Sequence, residues 1–529
     1  INFMLKMKHQ QGIPREQLQM LSFESMIDKD NPVRFVDSFV EHLDLSKLNF
    51  QVQVQKKEGR PSFESKLFLK IYLYGYLNGL RSSRRLEKEC TRNIELHWLL
   101  HSLTPNYHSI SDFRKNNPEA LRNTFKLFVG FLKDAELIGG STIAIDGTKS
   151  RASNSKKNNY NPKKIERHLK YIEEKTEEYM ALLDENDKQE SEIDIKHIQD
   201  KINRLATSKI HYEQLQTHLN QTTEPQVSTT DPDARALLIH GQVVEVSYNM
   251  QAAVDDKHNL VIATHTINRN DRNALTAIAL EAKQNIEAES FTVLVDKGYH
   301  NGRQIQQVTD ANITTIVASP EVVNSNEKAC SDDGVQRGTT KEYMVTQFAY
   351  NHDADTYTCP QGETLTTKGT WHEKKDGKKV QYRFKQYRTP ACKTCPVQHL
   401  CTGKADGRRE IQRSEFAEAV EANNKRYKEE SKLYRKRQEI NEHIFGTIKR
   451  QWNYYYTNLR GLRKVNGEHS LIMLVYNIKR AINILGMEDL IAKLKNWKPN
   501  YDKIVWLLVK WVYLKPVYRH HFFIQKLAS

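Results

Sequence analysis

The stretch Ser141–Ser150, STIAIDGTKS, constrains this chain more than any other. Thr142-Ile143-Ala144-Ile145 is a short apolar run of the kind that forms a buried strand, and it ends in Asp146 and a Gly turn. The pattern returns as Phe291-Thr-Val-Leu-Val295, followed by Asp296-Lys-Gly298-Tyr299. A carboxylate at the C-terminal lip of such a strand sits where an open α/β sheet places its ligands. Two of them predict carboxylates brought side by side, which repel unless a cation neutralises them. A hard divalent ion such as Mg²⁺ prefers oxygen ligands of this kind. Asp-Gly after a strand is also an ordinary turn signal, so neither aspartate carries the reading alone.

The chain has 529 residues, 38% hydrophobic and 27% charged, enough to bury a real core and to split into roughly two to four units. Lys and Arg number 80 against 65 Asp and Glu, and the net +15 favours a polyanionic partner, DNA or RNA. No run approaches the ~20 apolar residues of a membrane span; the most apolar stretch, Ile504–Leu514, is broken by Lys510. The opening INFMLKMKHQQG lacks the apolar core of a signal peptide. Six cysteines in so long a chain make no disulfide scaffold. A reduced, cytoplasmic setting is therefore expected, with cysteine clusters read as metal or redox sites.

Residues 1–135 read as mostly helical, with a helix over Ser65–Leu80, a basic one carrying Arg81, Arg84 and Arg85, a third at Asn93–Leu100, and a start capped by Ser111 or Asp112. Short helices in tight succession suit a helix-turn-helix-like DNA binder; a bundle with solvated basic residues is the alternative. After Asp146 the chain is expected to leave the sheet. Residues 155–225 carry apolar positions at three-to-four spacing amid Glu and Lys, which predicts a charged helical hairpin. Strands follow at Val243–Val254 and Leu260–Ile267, then a helix capped by Asn270-Asp271, the strand before Asp296, a short helix at Gly302–Val308 and a strand at Thr314–Ala318. This order resembles a ribonuclease-H-like α/β fold, a mixed sheet flanked by helices, built from residues 136–154 and 226–325.

Residues 326–415 form a cysteine-rich insertion. Cys359, Cys392, Cys395 and Cys401 give four thiolates, the number a closed tetrahedral Zn²⁺ site takes. Reduced structural thiols or a redox Cys-x-x-Cys remain alternatives. Residues 416–490 supply a long basic helix over Lys425–Arg450, whose Ile440, Ile444, Ile448 and Trp452 make an apolar stripe for the sheet. On it Glu442 and Lys449 stand seven apart, nearly on one helical line, and Glu439 is a rival carboxylate. A solvated helix face would present the same residues. The basic, aromatic tail at 491–529 has no assigned role.

These residues resemble the DDE transposases of bacterial insertion sequences. Asp146 in Ala-Ile-Asp-Gly-Thr-Lys looks like the family's first aspartate and Asp296 in Val-Asp-Lys-Gly-Tyr like its second. Tyr434, Arg437, Glu442 and Lys449 look like its terminal Tyr-Arg-Glu-Lys signature, although four residues separate Arg437 from Glu442 where many members show three. The branch with an N-terminal helical domain and an Asp-Pro-Asp-Ala-Arg segment after a long insert is the most similar. The resemblance implies two Mg²⁺ (or Mn²⁺) ions held by Asp146, Asp296 and Glu442, ~3.5–4 Å apart. It also implies cleavage at transposon terminal inverted repeats, joining of the 3′-OH ends to target DNA, and a homodimer on DNA without membrane contact. Lys449, Arg437 and Tyr434 would grip DNA. A transposase-derived DNA-binding protein and a ribonuclease-H-like nuclease or resolvase remain the alternatives.

Overall fold

The computed structural model describes residues 15–18, 20–51, 62–154, 156–189, 195–222, 224–240, 243–319, 329–330, 336–337, 339–376, 379–404 and 407–502. The expectations for the opening segment at 1–14, for Ile504–Leu514 and for most of the tail lie outside these residues. Among the described residues no helix is long and apolar enough to cross a membrane. The chain divides into two compact units, Ile1–Ala135 with Ser470–Ser529, and Glu136–His469.

The first unit begins with α1 (Pro32–His42), α2 (Ser65–Leu77), α3 (Ser83–Arg92), α4 (Ile94–Leu99), α5 (Tyr107–Asn116) and α6 (Pro118–Asp134). Asn31 starts α1 by accepting the Val33 N–H, with Pro32 in the first turn where its missing N–H costs nothing. In the core Phe128 meets Phe35 and Phe39 edge-on, and Trp497 packs there too, donating its indole N–H to Asp134 at 2.9 Å. The cap expected at Ser111 or Asp112 lies earlier: Asn106 accepts the Ser109 N–H at 2.9 Å, so α5 starts a full turn sooner. Arg81, expected on the DNA-facing surface, is buried instead. Its carbonyl takes the Arg114 guanidinium, which also donates to Tyr76. Arg84 and Arg85 do reach solvent.

The second unit is built on β1 (Thr142–Arg151). Its neighbours in chain order are β2 (Asn159–Tyr160), paired with β3 (Val227–Ser228), then β4 (Arg235–His240), β5 (Val243–Asp255), β6 (Leu260–Ile267), β7 (Phe291–Val295) and β8 (Ile313–Val317). The main sheet runs β4-β5-β1-β7-β8, with β6 sharing the β4 edge of β5. Pairing of β1 with β5 is antiparallel from Ile143↔Asp255 to Arg151↔Ser247; pairing with β7 is parallel from Thr142↔Thr292 to Ile145↔Val295. The expected exit at Asp146 is therefore wrong: β1 runs on to Arg151, because β5 is long enough to pair with all of it. The strand β4 went unforeseen, its Arg235-Ala-Leu-Leu core being masked by the turn residues before it.

The hairpin α7 (Pro162–Gln189) and α8 (Ile195–Thr222) leaves between β1 and β4, anchored by buried Ile165, Leu219 and Val227. Helices α9 (Leu275–Ile286) and α10 (Gly302–Asp310) connect the parallel strands. The short strands β9 (Ala329–Cys330) and β10 (Gln336–Arg337) pair before a second sheet of β11 (Ala349–Asn351), β12 (Thr356–Thr358), β13 (Thr364–Thr367), β14 (His372–Asp376), β15 (Lys379–Arg388) and β16 (Ile411–Ser414). Phe348, Tyr357, Leu365, Tyr387 and Ile411 form its small core, with Cys359 and Cys401 packed against it. The four-residue α11 (Gln398–Cys401) precedes β16.

The long helix expected over 425–450 is three pieces: α12 (Ala417–Glu429), α13 (Ser431–Phe445) and a π-helical turn, Gly446–Gln451. Asn423 on α12 both accepts the Val317 N–H (2.8 Å) and donates to the Val317 carbonyl (2.9 Å), satisfying the exposed edge of β8. Ile440, Ile444, Ile448 and Trp452 are all buried as the stripe predicts. After them come α14 (Leu462–Leu485), which runs from the second unit into the first, and α15 (Met487–Asn496).

The start of α14 is held by the Asp-Pro-Asp segment: Asp231 accepts the Gly461 N–H (3.0 Å) and the Tyr248 hydroxyl (2.8 Å), and Asp233 accepts the Leu462 N–H (2.8 Å). Asp231 is fully buried. Asp231→Ala would leave the Tyr248 hydroxyl and the Gly461 N–H unsatisfied, a loss of about 2–3 kcal/mol measurable by chemical denaturation.

Candidate active site

Parallel register sets the site. Ile145 and Val295 are the last paired residues of β1 and β7, so the next residue of each strand, Asp146 and Asp296, emerges side by side. Both meet one cation. Arg437, from the sheet-facing side of α13, places one guanidinium nitrogen 3.1 Å from Asp146 Oδ2 and the other 4.0 Å from Asp296 Oδ1. The Gly147 N–H donates to Asp146 Oδ1 at 2.7 Å. Burial pushes the Asp146 carboxyl above its usual range, and the charges of Asp296 and Asp271 act the same way against the Gly147 N–H and Arg437. Tyr434 lies 5.7 Å beneath the same guanidinium, and burial raises its phenol.

A polar layer adjoins the two aspartates, and it was not legible as part of the site. Asn249 and Gln251 are both fully buried on β5. They donate to Asp271 Oδ1 at 2.7 and 2.8 Å, and Lys149 stands 3.4 Å from Asp271 Oδ2. Gln251 in turn accepts the hydroxyl of Tyr299, buried just beyond Asp296. Asp271, expected to cap α9, instead opens a short 3-10 turn and serves this network. Gly147 leaves the room: a Cβ there would stand 2.7 Å from Asp271 Oδ1 and 2.8 Å from Asn249 Oδ1. The available signal was a row of polar residues at alternate positions, Ser247, Asn249 and Gln251, within a buried strand.

Glu442 is not drawn in. It is exposed, and its Oε1 accepts from Gln438 at 2.8 Å; Glu439 is exposed too. Lys449 comes from the π-helical turn, whose wider winding takes it off the line it would share with Glu442 on a plain α-helix. Its ammonium donates to the Lys149 carbonyl on β1 at 2.7 Å. Burial pulls it down to about 8, and the Lys149 charge acts the same way.

The four cysteines Cys359, Cys392, Cys395 and Cys401 are unbridged and line one cavity with Phe348, Leu365 and Arg409. Burial pushes the Cys401 thiol up; Arg409 opposes this, and the other three thiols add to it. Among the described residues no group of three or more His, Cys, Asp or Glu side chains is arranged to hold a metal ion. Neither the Asp146–Asp296–Glu442 set nor the thiol set is therefore a closed cage. The donor chemistry does fit: two carboxylates share a cation at the sheet edge, and four thiols share one cavity.

Residues 358–482 match a family model described as Transposase DDE domain, which includes the cysteines, α12, α13 and Lys449. This segment is thus similar to the domain of DDE-type transposases. A second match, Transposase domain (DUF772) over residues 21–116, covers α1 to α5, so both matched segments are similar to transposase domains. No curated protein and no solved structure matches the chain.

A lysine largely withdrawn from water is costly to keep charged. Lys449→Met is expected to stabilise the protein at neutral pH, by up to about 3 kcal/mol less the lost hydrogen bond to Lys149. The folded state holds this proton more weakly than the unfolded chain, so wild-type stability rises as pH climbs from about 8 towards 10.5. Denaturation of both proteins across that range should show the gap closing; a pH-independent gap would contradict the burial cost.

Proposed function

We propose that the chain cuts phosphodiester bonds at transposon terminal inverted repeats and joins the freed 3′-OH ends to target DNA. The observation that carries this is Arg437 gripping both Asp146 and Asp296, three residues from three separate elements brought to one point. The strand order, with antiparallel β5 on one side of β1 and parallel β7 and β8 on the other, supports a ribonuclease-H-like core.

Asp146 and Asp296 would hold Mg²⁺ or Mn²⁺, with Glu442 as the third carboxylate. Bound metal supplies an activated water or 3′-OH and charge stabilisation at the leaving oxygen. Arg437 balances the aspartates' charge and orients them, as its two contacts indicate. Lys449, held against β1, would meet a DNA phosphate, and Tyr434 would support Arg437 from below. Arg84 and Arg85, exposed on α3, are the helical unit's candidates for gripping the terminal repeat. Assembly as a homodimer on DNA and residence in the cytoplasm belong to the same reading.

Cleavage and strand transfer on the element's own terminal repeat in Mg²⁺ test the proposal. Asp146→Ala, Asp296→Ala and Glu442→Ala should each still bind the end while losing both steps by roughly a thousandfold or more. Because Glu442 turns to Gln438, Glu439→Ala belongs in the same series. Activity lost in Glu439→Ala and kept in Glu442→Ala would move the third ligand. Tight end binding without cleavage in Mg²⁺ or Mn²⁺ would leave a DNA-binding protein.

The cysteine cavity supports a structural Zn²⁺ bound by Cys359, Cys392, Cys395 and Cys401. Purified protein should carry about one zinc per chain, and Cys395→Ser should lower the content and the melting temperature together. Full stability in the metal-free protein would exclude the assignment.

A further inference from the structure

Beyond the π-helical turn the chain Trp452–Leu459 runs along the end of β1. Trp452, Tyr454, Thr457 and Leu459 point inward and are buried, yet Tyr455 and Tyr456 are 44% and 45% exposed. Strand alternation would hide one of two neighbours, so a pair of adjacent exposed aromatics is a departure from the pattern. The backbone beneath them is fixed. The Arg151 N–H donates to the Tyr455 carbonyl and the Thr457 N–H to the Arg151 carbonyl, both at 2.8 Å. Glu468, fully buried, accepts the N–H groups of Asn458 and Leu459. Two rings with few rotatable bonds thus stand on a rigid support, which keeps the entropy cost of binding low.

The chain that carries them is basic. Between Glu442 and Glu468 the chain has no acidic residue, and Glu468 is committed to backbone. The Lys449 ammonium is 6.0 Å from the Tyr455 ring, and Arg151, Arg450 and Arg460 are exposed nearby in sequence or across the pairing. A positive surface with exposed aromatic faces suits a polyanion whose own rings are available for stacking. Paired duplex hides its base faces, so the ligand that fits is unpaired DNA. Arg151 lies five residues past Asp146 on β1. At ~3.4 Å per residue that is about 17 Å, within reach of a DNA strand whose reacting phosphate sits at Asp146.

We propose that Tyr455 and Tyr456 form a stacking platform for unpaired bases of the DNA strand held at the active site, an inference that rests on the transposase reading. The test compares binding, by fluorescence anisotropy, of a blunt duplex and the same duplex with a single-stranded extension. Wild type should prefer the extended DNA. Tyr455→Ala and Tyr456→Ala should each lose about tenfold on the extended DNA and little on the blunt one, while Tyr455→Phe and Tyr456→Phe keep the preference. The salt dependence should not change, since no charge is removed. Equal binding of both DNAs by wild type, or an unaltered preference in both alanine variants, would overturn the platform alone. Failure of wild type to bind either DNA would overturn the transposase reading with it.

Discussion

Everything at the site depends on the two unlike neighbours of β1. Antiparallel pairing with β5 carries the strand past Asp146 to Arg151, while parallel pairing with β7 stops one residue before Asp146. The end of the parallel ladder is thus what opens space for two carboxylates, and the continuing antiparallel ladder is what keeps their backbone stiff. A sheet parallel on both sides would end at one lip. Here the strand provides both a lip for Asp146 and a rail for Lys149 and Arg151.

Charge is arranged around that opening in two layers. Arg437 faces the aspartates directly, and the Asp271 group with Asn249, Gln251 and Lys149 adjoins them through β1 and β5. Lys149 ties the Asp271 group to the π-helical turn, since its ammonium meets Asp271 and its carbonyl accepts the Lys449 ammonium. The hydrogen bonds of such a buried polar network hold its side chains in one arrangement.

Much of this was legible in the sequence because it rests on local pattern. The apolar runs before Asp146 and Asp296 are strands, and the isoleucine stripe of α13 is buried as its spacing requires. What escaped depends on partners distant in sequence. Whether β1 ends at a Gly turn is decided by the length of β5, not by Gly147. Arg81 is buried and its carbonyl accepts from Arg114, a partner 33 residues downstream, although its neighbours Arg84 and Arg85 stay in water. Asp271 looked like a cap because capping is local, whereas Asn249 and Gln251 claim it from another strand. The π-helical turn has no signature in spacing, so a helix drawn straight through it misplaced Lys449 against Glu442.

The pairing pattern also sets an order of assembly. The hairpin of α7 and α8 closes on itself, so it can form as soon as it is synthesised. The first central strand must wait: Ile143 pairs with Asp255, Ile145 with Val295, and Asp146 meets Arg437 only 291 positions downstream. A nascent chain thus carries Asp146 without its Arg437 contact while the rest of the second unit is made, and the pair cannot form until α13 has left the ribosome. Products truncated before α13 would lack the Asp146–Arg437 pair, however much of the remainder folds.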